Sequence, residues 1–340
     1  MNKTNDIEKF FNSLIKIPKF DNFKASKAKQ LQNELLKPVG SLGKLEEYAI
    51  WMAGWQRKIK PSIKNAHCLI FAGNHGIANK GVSAFPSEVT AQMVANFKEG
   101  GAAINQLCEL AELKLKVTPL ELEKPTRDFS ENLAMEKEDV ISAMQIGFDS
   151  VPSNCDLLVL GEMGISNTTS ASALSCALFN ETVESMTGIG TGLNEIQLAN
   201  KISVIKSALK LHGTKFKSTL KILSCFGGRE MAAIVGSVIS ARLKSVPVLL
   251  DGFICTAAAS SLILFDQNML DHCLISHLST EPGHLKILSY LNKEPILDLN
   301  LRLGEGSGAA VASLILKSAL ATHNGMSTFS EASVTNRNHS

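Results

Sequence analysis

Two glutamates stand where a carboxylate can be set up for proton chemistry. Glu162 lies in Leu160-Gly-Glu-Met-Gly164, just before Asn167-Thr168-Thr169, and Glu305 lies in Arg302-Leu-Gly-Glu-Gly-Ser-Gly308. A carboxyl walled by glycines and apolar side chains loses solvation when charged. Its proton affinity rises toward neutrality, where a general base works best. The plainer alternative for Glu305 is a capping carboxylate, because a helical pattern follows it at once.

The second constellation suits an anion. Gly188-Ile-Gly-Thr-Gly192 exposes closely spaced backbone N–H groups, and the helix expected from Asn194 onward would turn its positive end toward a phosphate. Lys201 on that helix could add a point charge; a solvated lysine and a plain glycine turn are the alternatives. The G-x-G-x-x-G fingerprint is missing, and no Gly-Lys-Ser/Thr occurs. These absences argue against a dinucleotide-binding oxidoreductase and a P-loop enzyme. His277-x3-Glu281-x2-His284 has a superficial metal-ligand spacing, but Pro282-Gly283 interrupts the helix that H-E-x-x-H requires. No G-x-S-x-G elbow supports a serine hydrolase.

The elements that must hold these residues follow from a change of rhythm near residue 66. Up to about residue 60 the pattern is helical, over Lys27–Leu36 and Lys44–Trp55, broken by Lys37-Pro-Val-Gly-Ser-Leu-Gly43. Beyond it, short apolar runs end in glycine-bearing turns: 67–72, 157–160, 222–226 and 246–250, with 113–119 and 273–275 as further strand candidates. The runs lack strict polar alternation, as strands covered on both faces do. The expected fold is α/β: a doubly wound, mostly parallel sheet flanked by helices over residues 66–300. A smaller helical lobe is expected from 1–65 plus 301–340, including an Ala/Leu-rich helix over Gly308–Ala321 and a fraying polar tail from Ser327 to Ser340. Ligands of such sheets bind beyond the carboxyl ends of the strands, where the glycines and glutamates above are placed.

Composition narrows the ligand class. The 340 residues carry 45% hydrophobic and 19% charged side chains, with 34 Lys+Arg against 32 Asp+Glu. Such a chain is globular rather than disordered, and it has no basic excess for nucleic acid. Aromatic residues make up only 6%, which leaves few stacking platforms for bases. Seven widely spaced cysteines without C-x-x-C read as buried thiols in a reducing cytoplasm. The charged, amphipathic start, Met1 to Phe20, lacks the apolar centre of a signal peptide. The longest apolar stretch, Val246–Phe265, contains Pro247, Asp251 and Gly252, and suits a strand, turn and helix better than a membrane span.

In combination, the motifs resemble the nicotinate-nucleotide:dimethylbenzimidazole phosphoribosyltransferase family. The matching segments run in the family's order: Lys37–Glu46, Ala72–Ile77, Gly81–Thr90, Gly161–Thr169, Gly188–Gly190, Asn200-Lys201, Gly227-Gly228, Pro247–Phe253, Ser276–Ser279 and Arg302–Gly308. The resemblance implies transfer of the phosphoribosyl group of nicotinate mononucleotide to 5,6-dimethylbenzimidazole. Adenine or a phenol is the alternative acceptor. It implies Glu305 as general base and Glu162 as a second active-site glutamate near the ribose. Gly190, Thr191, Lys201 and Ser279 would hold the 5′-phosphate, and Ser83, Phe85, Met93 and Leu303 would wall the acceptor pocket. No metal and no cofactor is implied, and the members are homodimers. Two departures stand out: Asn74 where many relatives carry Asp, and Ser166 in place of a more usual Gly.

Overall fold

Alternate side chains along each central strand enter two different cores. Leu69 and Phe71 of the first strand pack on one face of the sheet, and Cys68 and Ile70 on the other. Leu158 and Leu160 divide in the same way from Leu157 and Val159. This double burial is the physical reason for runs without polar alternation. A computed structural model describes residues 6–12 and 17–335.

The strands are β1 (Ala66–Ala72), β2 (Lys114–Pro119), β3 (Leu157–Met163), β4 (Val248–Leu250), β5 (Cys273–Ser279) and β6 (Pro295–Leu301). They form one parallel sheet in the order β2-β1-β3-β4-β5-β6. The chain leaves β1 toward one edge and returns to β3 on its other side, so the strand order reverses between them. That is the doubly wound arrangement, with its crevice at the carboxyl ends. Helices Lys137–Ser150, Asn167–Phe179, Arg229–Leu243 and Phe253–Ser260 cover one face. Helices Lys44–Gln56, Ala103–Leu110 and Ser307–Gly325 cover the other. The last of these also packs against Lys44–Gln56, which packs in turn on Asn22–Glu34.

Two expectations about elements are corrected. Residues 222–226 belong to a helix, Thr219–Phe226, not to a strand. Ser218 caps it by accepting the Lys221 N–H at 3.4 Å, and Ile222, Leu223, Cys225 and Phe226 are all buried. A short apolar run buried on every side carries no period to separate the two structures. Strand β6, in turn, has no counterpart among the expected strands.

The tail expected to fray is fastened at its start. Leu36 N–H donates to Ser327 O at 2.9 Å and Phe329 N–H to Glu34 O at 3.1 Å, while 336–340 lie outside the described residues. Within the amphipathic start, a helix spans Asp6–Asn12 and sets Phe10 against Phe265, with ring centroids 4.8 Å apart; 1–5 and 13–16 lie outside the described residues. All seven cysteines are buried and free. Among the described residues, no helix is long and apolar enough to cross a membrane.

Candidate active site

Strands β3 to β6 deliver polar side chains to the crevice at their carboxyl ends. Glu162 comes from β3, Asp251 follows β4, His277 and Ser279 come from β5, and Glu305 lies just past β6. They line a cavity of about 430 Å³, within the range of small-molecule sites. Phe85, Val89, Met93 and Leu303 give part of the wall an apolar surface, and Gly190 and Thr191 also line the cavity.

The two glutamates are carried on interlocked backbones. Glu305 N–H donates to Glu162 O at 3.3 Å. The contact requires Gly161, because a Cβ there would stand 2.5 Å from the Gly306 nitrogen. Glu305 has a left-handed backbone, with φ 63, between Gly304 at φ 82 and Gly306 at φ 81. Burial, then the charges of Asp251 and Glu230, push the Glu162 carboxyl up to about 8, against the Asn167 amide that donates to it. Burial and Asp251 push the Glu305 carboxyl up to about 7. Glu305 Oε2 is buried with no hydrogen-bond partner among the described residues. A carboxyl that changes charge near neutrality, with free acceptor capacity, is equipped to take a proton from a bound molecule.

Glu305 does not cap the helix Ser307–Gly325. Asp251 does: it accepts Gly306 N–H at 3.1 Å and Ala309 N–H at 2.9 Å. Burial holds the Asp251 carboxyl above the usual range, opposed by His277 and by those backbone donors.

The glycine loop has a different geometry from the one expected. Asn194 caps the helix Glu195–His212 with its own side chain, which accepts Gln197 N–H at 2.9 Å. The loop's Gly190 N–H points instead to Glu281 Oε1, at 2.8 Å. Lys201 is buried beneath the loop, donating from Nζ to Thr168 Oγ1 at 3.0 Å and to Gly188 O at 3.1 Å. Its ammonium is pushed down to about 8 by burial, opposed by Glu281. Arg302 closes the arrangement with Nη1 donating to Gly190 O at 3.1 Å. Ser279 Oγ accepts the Glu281 N–H at 3.3 Å.

With this geometry in place, known proteins provide the comparison. A family model described as "Phosphoribosyltransferase" matches residues 17–334. The chain belongs to this phosphoribosyltransferase family. A relative from a Ruegeria species is 49% identical over 96% of this chain and 96% of its own length. One from Methylorubrum extorquens is 48% identical over 94% of each chain. Both are named nicotinate-nucleotide–dimethylbenzimidazole phosphoribosyltransferase. The crystal structure of the Thermus thermophilus protein of that name superposes with a TM-score of 0.86 at 34% identity, covering 93% of this chain and 99% of that one.

Within this phosphoribosyltransferase, Glu162, Glu305, Gly190, Thr191, Ser279, Phe85, Met93 and Leu303 all reach the one cavity. Lys201 lies under its floor at Gly190, and Ser83 stands back from its wall, where its Oγ accepts Phe85 N–H at 3.3 Å. His284 spends both ring nitrogens, on Ser279 N–H at 3.0 Å and Thr256 Oγ1 at 3.1 Å. Ser166 adopts φ 74, the conformation for which glycine is the common choice. Asn74 donates its amide to Leu122 O at 3.0 Å, a bond that an aspartate could not donate.

Sequence reasoning missed Asp251, Glu281 and Arg302 as parts of the site. Asp251 had a usable signal, because it stands directly after β4 as Glu162 stands at the end of β3. Arg302 sat inside the quoted Arg-Leu-Gly-Glu-Gly motif. Glu281 stood out only in the His277-x3-Glu281-x2-His284 spacing, and nothing local ties it to the Gly190 amide it accepts, 91 positions away.

Proposed function

We infer that this enzyme transfers the phosphoribosyl group of nicotinate mononucleotide to 5,6-dimethylbenzimidazole, giving α-ribazole 5′-phosphate and nicotinate. The observation that carries the reading is the pair of buried carboxyls, Glu162 and Glu305, raised toward neutrality in one cavity with an apolar slot and a glycine loop. The names of the relatives supply the substrates.

The chemistry suits these residues. The ring nitrogen of the bound mononucleotide is quaternary, so the C–N bond breaks without protonation of the leaving nicotinate. Positive charge develops on the ribose, and Glu162 stabilises it. Although burial raises its carboxyl to about 8, Glu162 would face a cationic ring, which favours its charged form. The benzimidazole nitrogen attacks with its own lone pair from the opposite face, turning β into α configuration. As it attacks, the other ring nitrogen sheds its proton to Glu305. Such help contributes about 10²–10⁴ in rate.

The 5′-phosphate is assigned to Gly190, Thr191, Lys201 and Ser279, and it supplies orientation rather than chemistry. The acceptor is assigned to Phe85, Met93 and Leu303, with Ser83 steadying the turn at Phe85. The same slot suits adenine or a phenol as an alternative acceptor. We further assign the enzyme to the cytoplasm, supported by its seven free cysteines. A homodimer is supported by exposed Leu285, Tyr290 and Leu299 on the β5–β6 side of the sheet. The smaller lobe expected from 1–65 and 301–340 is assigned to Asn22–Glu34 with the outer sides of Lys44–Gln56 and Ser307–Gly325, whose inner sides cover the sheet. The deciding experiment incubates the protein with nicotinate mononucleotide and a panel of 5,6-dimethylbenzimidazole, adenine and phenol. Free nicotinate with a riboside phosphate is expected, and no product with any acceptor overturns the reading.

A further inference from the structure

The turn that carries Glu305 is costly to hold. Three successive residues, Gly304, Glu305 and Gly306, take left-handed backbones, and the glutamate has no glycine's freedom there. A long, flexible side chain placed on such a turn is useful to catalysis only if the turn is fixed. Two kinds of bond fix it. Within the turn, Ser307 N–H and Oγ–H donate to Gly304 O at 3.0 and 2.7 Å. Across the sheet, the Asp251 carboxylate takes Gly306 N–H at 3.1 Å and Ala309 N–H at 2.9 Å, one with each oxygen. The amide next to Glu305 and the first turn of the helix behind it are thus tied to the end of β4. A carboxylate at a helix N-terminus is also the favourable sign of charge.

His277 stands beside this tie. Its Nε2 is 3.6 Å from Asp251 Oδ1, and neither ring nitrogen makes a hydrogen bond among the described residues. Gly252 and Gly308 leave the ring its place, since a Cβ at either would press on the imidazole. The titratable and charged groups lining the cavity with Glu305 are Glu162 from β3, Asp251 after β4, His277 from β5, Glu281 beyond it, and Arg302 before the turn. Beneath Gly306 lies the Cys68 thiol of β1.

We propose that Asp251 is the positioning residue for Glu305: it pins the left-handed turn to β4 and, with His277 beside it, supplies the field in which Glu305 takes up its proton. The proposal rests on Glu305 being the general base. Next to burial, Asp251 is the cause that raises the Glu305 carboxyl to about 7. Taking that negative charge away lets Glu305 lose its proton at lower pH. The acid limb of the rate profile then moves to lower pH, and a purely structural role for Asp251 would not move it.

The test is the pH profile of kcat with nicotinate mononucleotide and 5,6-dimethylbenzimidazole for the full chain and three variants. Asp251→Asn, nearly the same shape but neutral and able to accept only one of the two amides, is expected to lower kcat and to shift the acid limb down by about one pH unit. Asp251→Glu keeps the charge but not the two-amide grip. It is expected to lower kcat by about tenfold or more at unchanged KM for the mononucleotide, with the limb in place. Glu305→Gln is expected to abolish the limb. A folded Asp251→Asn with an unmoved limb overturns the proposal, and so does Asp251→Glu at full kcat. If Asp251→Asn does not fold, the kcat and KM of Asp251→Glu decide. If Glu305→Gln keeps the limb, the general-base reading fails, whatever the Asp251 variants show.

Discussion

Glu305 and Glu162 are joined through their main chains, the N–H of one meeting the carbonyl of the other at 3.3 Å. A carboxyl near the end of β3 and one in the turn after β6 are thereby tied to one frame. Their environments nevertheless differ. Glu162 receives the Asn167 amide, whereas Glu305 Oε2 has no partner among the described residues. This asymmetry supports the proposed division of roles, electrostatic work for the first and proton acceptance for the second.

With Glu305 as the proposed base, Glu305→Gln removes the proton acceptor and little else. Steady-state release of nicotinate is expected to show kcat lowered by about 10²-fold or more, with KM for the mononucleotide nearly unchanged. Turnover near the wild-type rate would move the base to Glu162.

Glu162 also leaves a mark on stability. Its folded value, about 8, lies above the ordinary 4.5, so the folded state binds this proton more tightly than the unfolded state does. The resulting stability is fully present below pH 4.5 and is lost as pH rises through 8. Glu162→Gln keeps a neutral group at every pH. Thermal melts are expected to place the variant's Tm above wild type at about pH 8.5, and the gap should shrink or reverse at about pH 4.5. A gap that does not depend on pH would mean that the buried carboxyl is not raised.

Lys201 is legible by a different measurement. With its ammonium pushed down to about 8, the charge under Gly190 fades as pH climbs past that value. KM for the mononucleotide is expected to rise above pH 8 in wild type. Lys201→Met should raise KM by about tenfold or more near neutral pH, at similar kcat, and remove that dependence on pH. An unchanged KM would take the phosphate away from this loop.

Much of this site is legible in the sequence. Gly161-Glu162 and Gly304-Glu305-Gly306 announce close backbone approaches around a carboxylate, and they are where β3 meets the turn after β6. What escaped did so for physical reasons. The run 222–226 is buried all round, so helix and strand look alike. Strand β6 opens on Pro295 and carries Asp298 and Asn300, residues that strands usually avoid. It is an edge strand, where such residues are tolerated. Glu281 meets the Gly190 amide only because the chain folds 91 positions back on itself. The near-zero net charge also gains meaning, because the proposed phosphate site would draw its positive charge locally, from buried Lys201 and from Arg302 at Gly190.

The central claim is displacement at the ribose by a nitrogen base arriving from the face opposite to nicotinate. The most direct measurement is proton NMR of the product formed from nicotinate mononucleotide and 5,6-dimethylbenzimidazole. The account predicts one nicotinate released for each riboside phosphate, with that riboside wholly in the α configuration. A β-configured product, or no release of nicotinate, would contradict it.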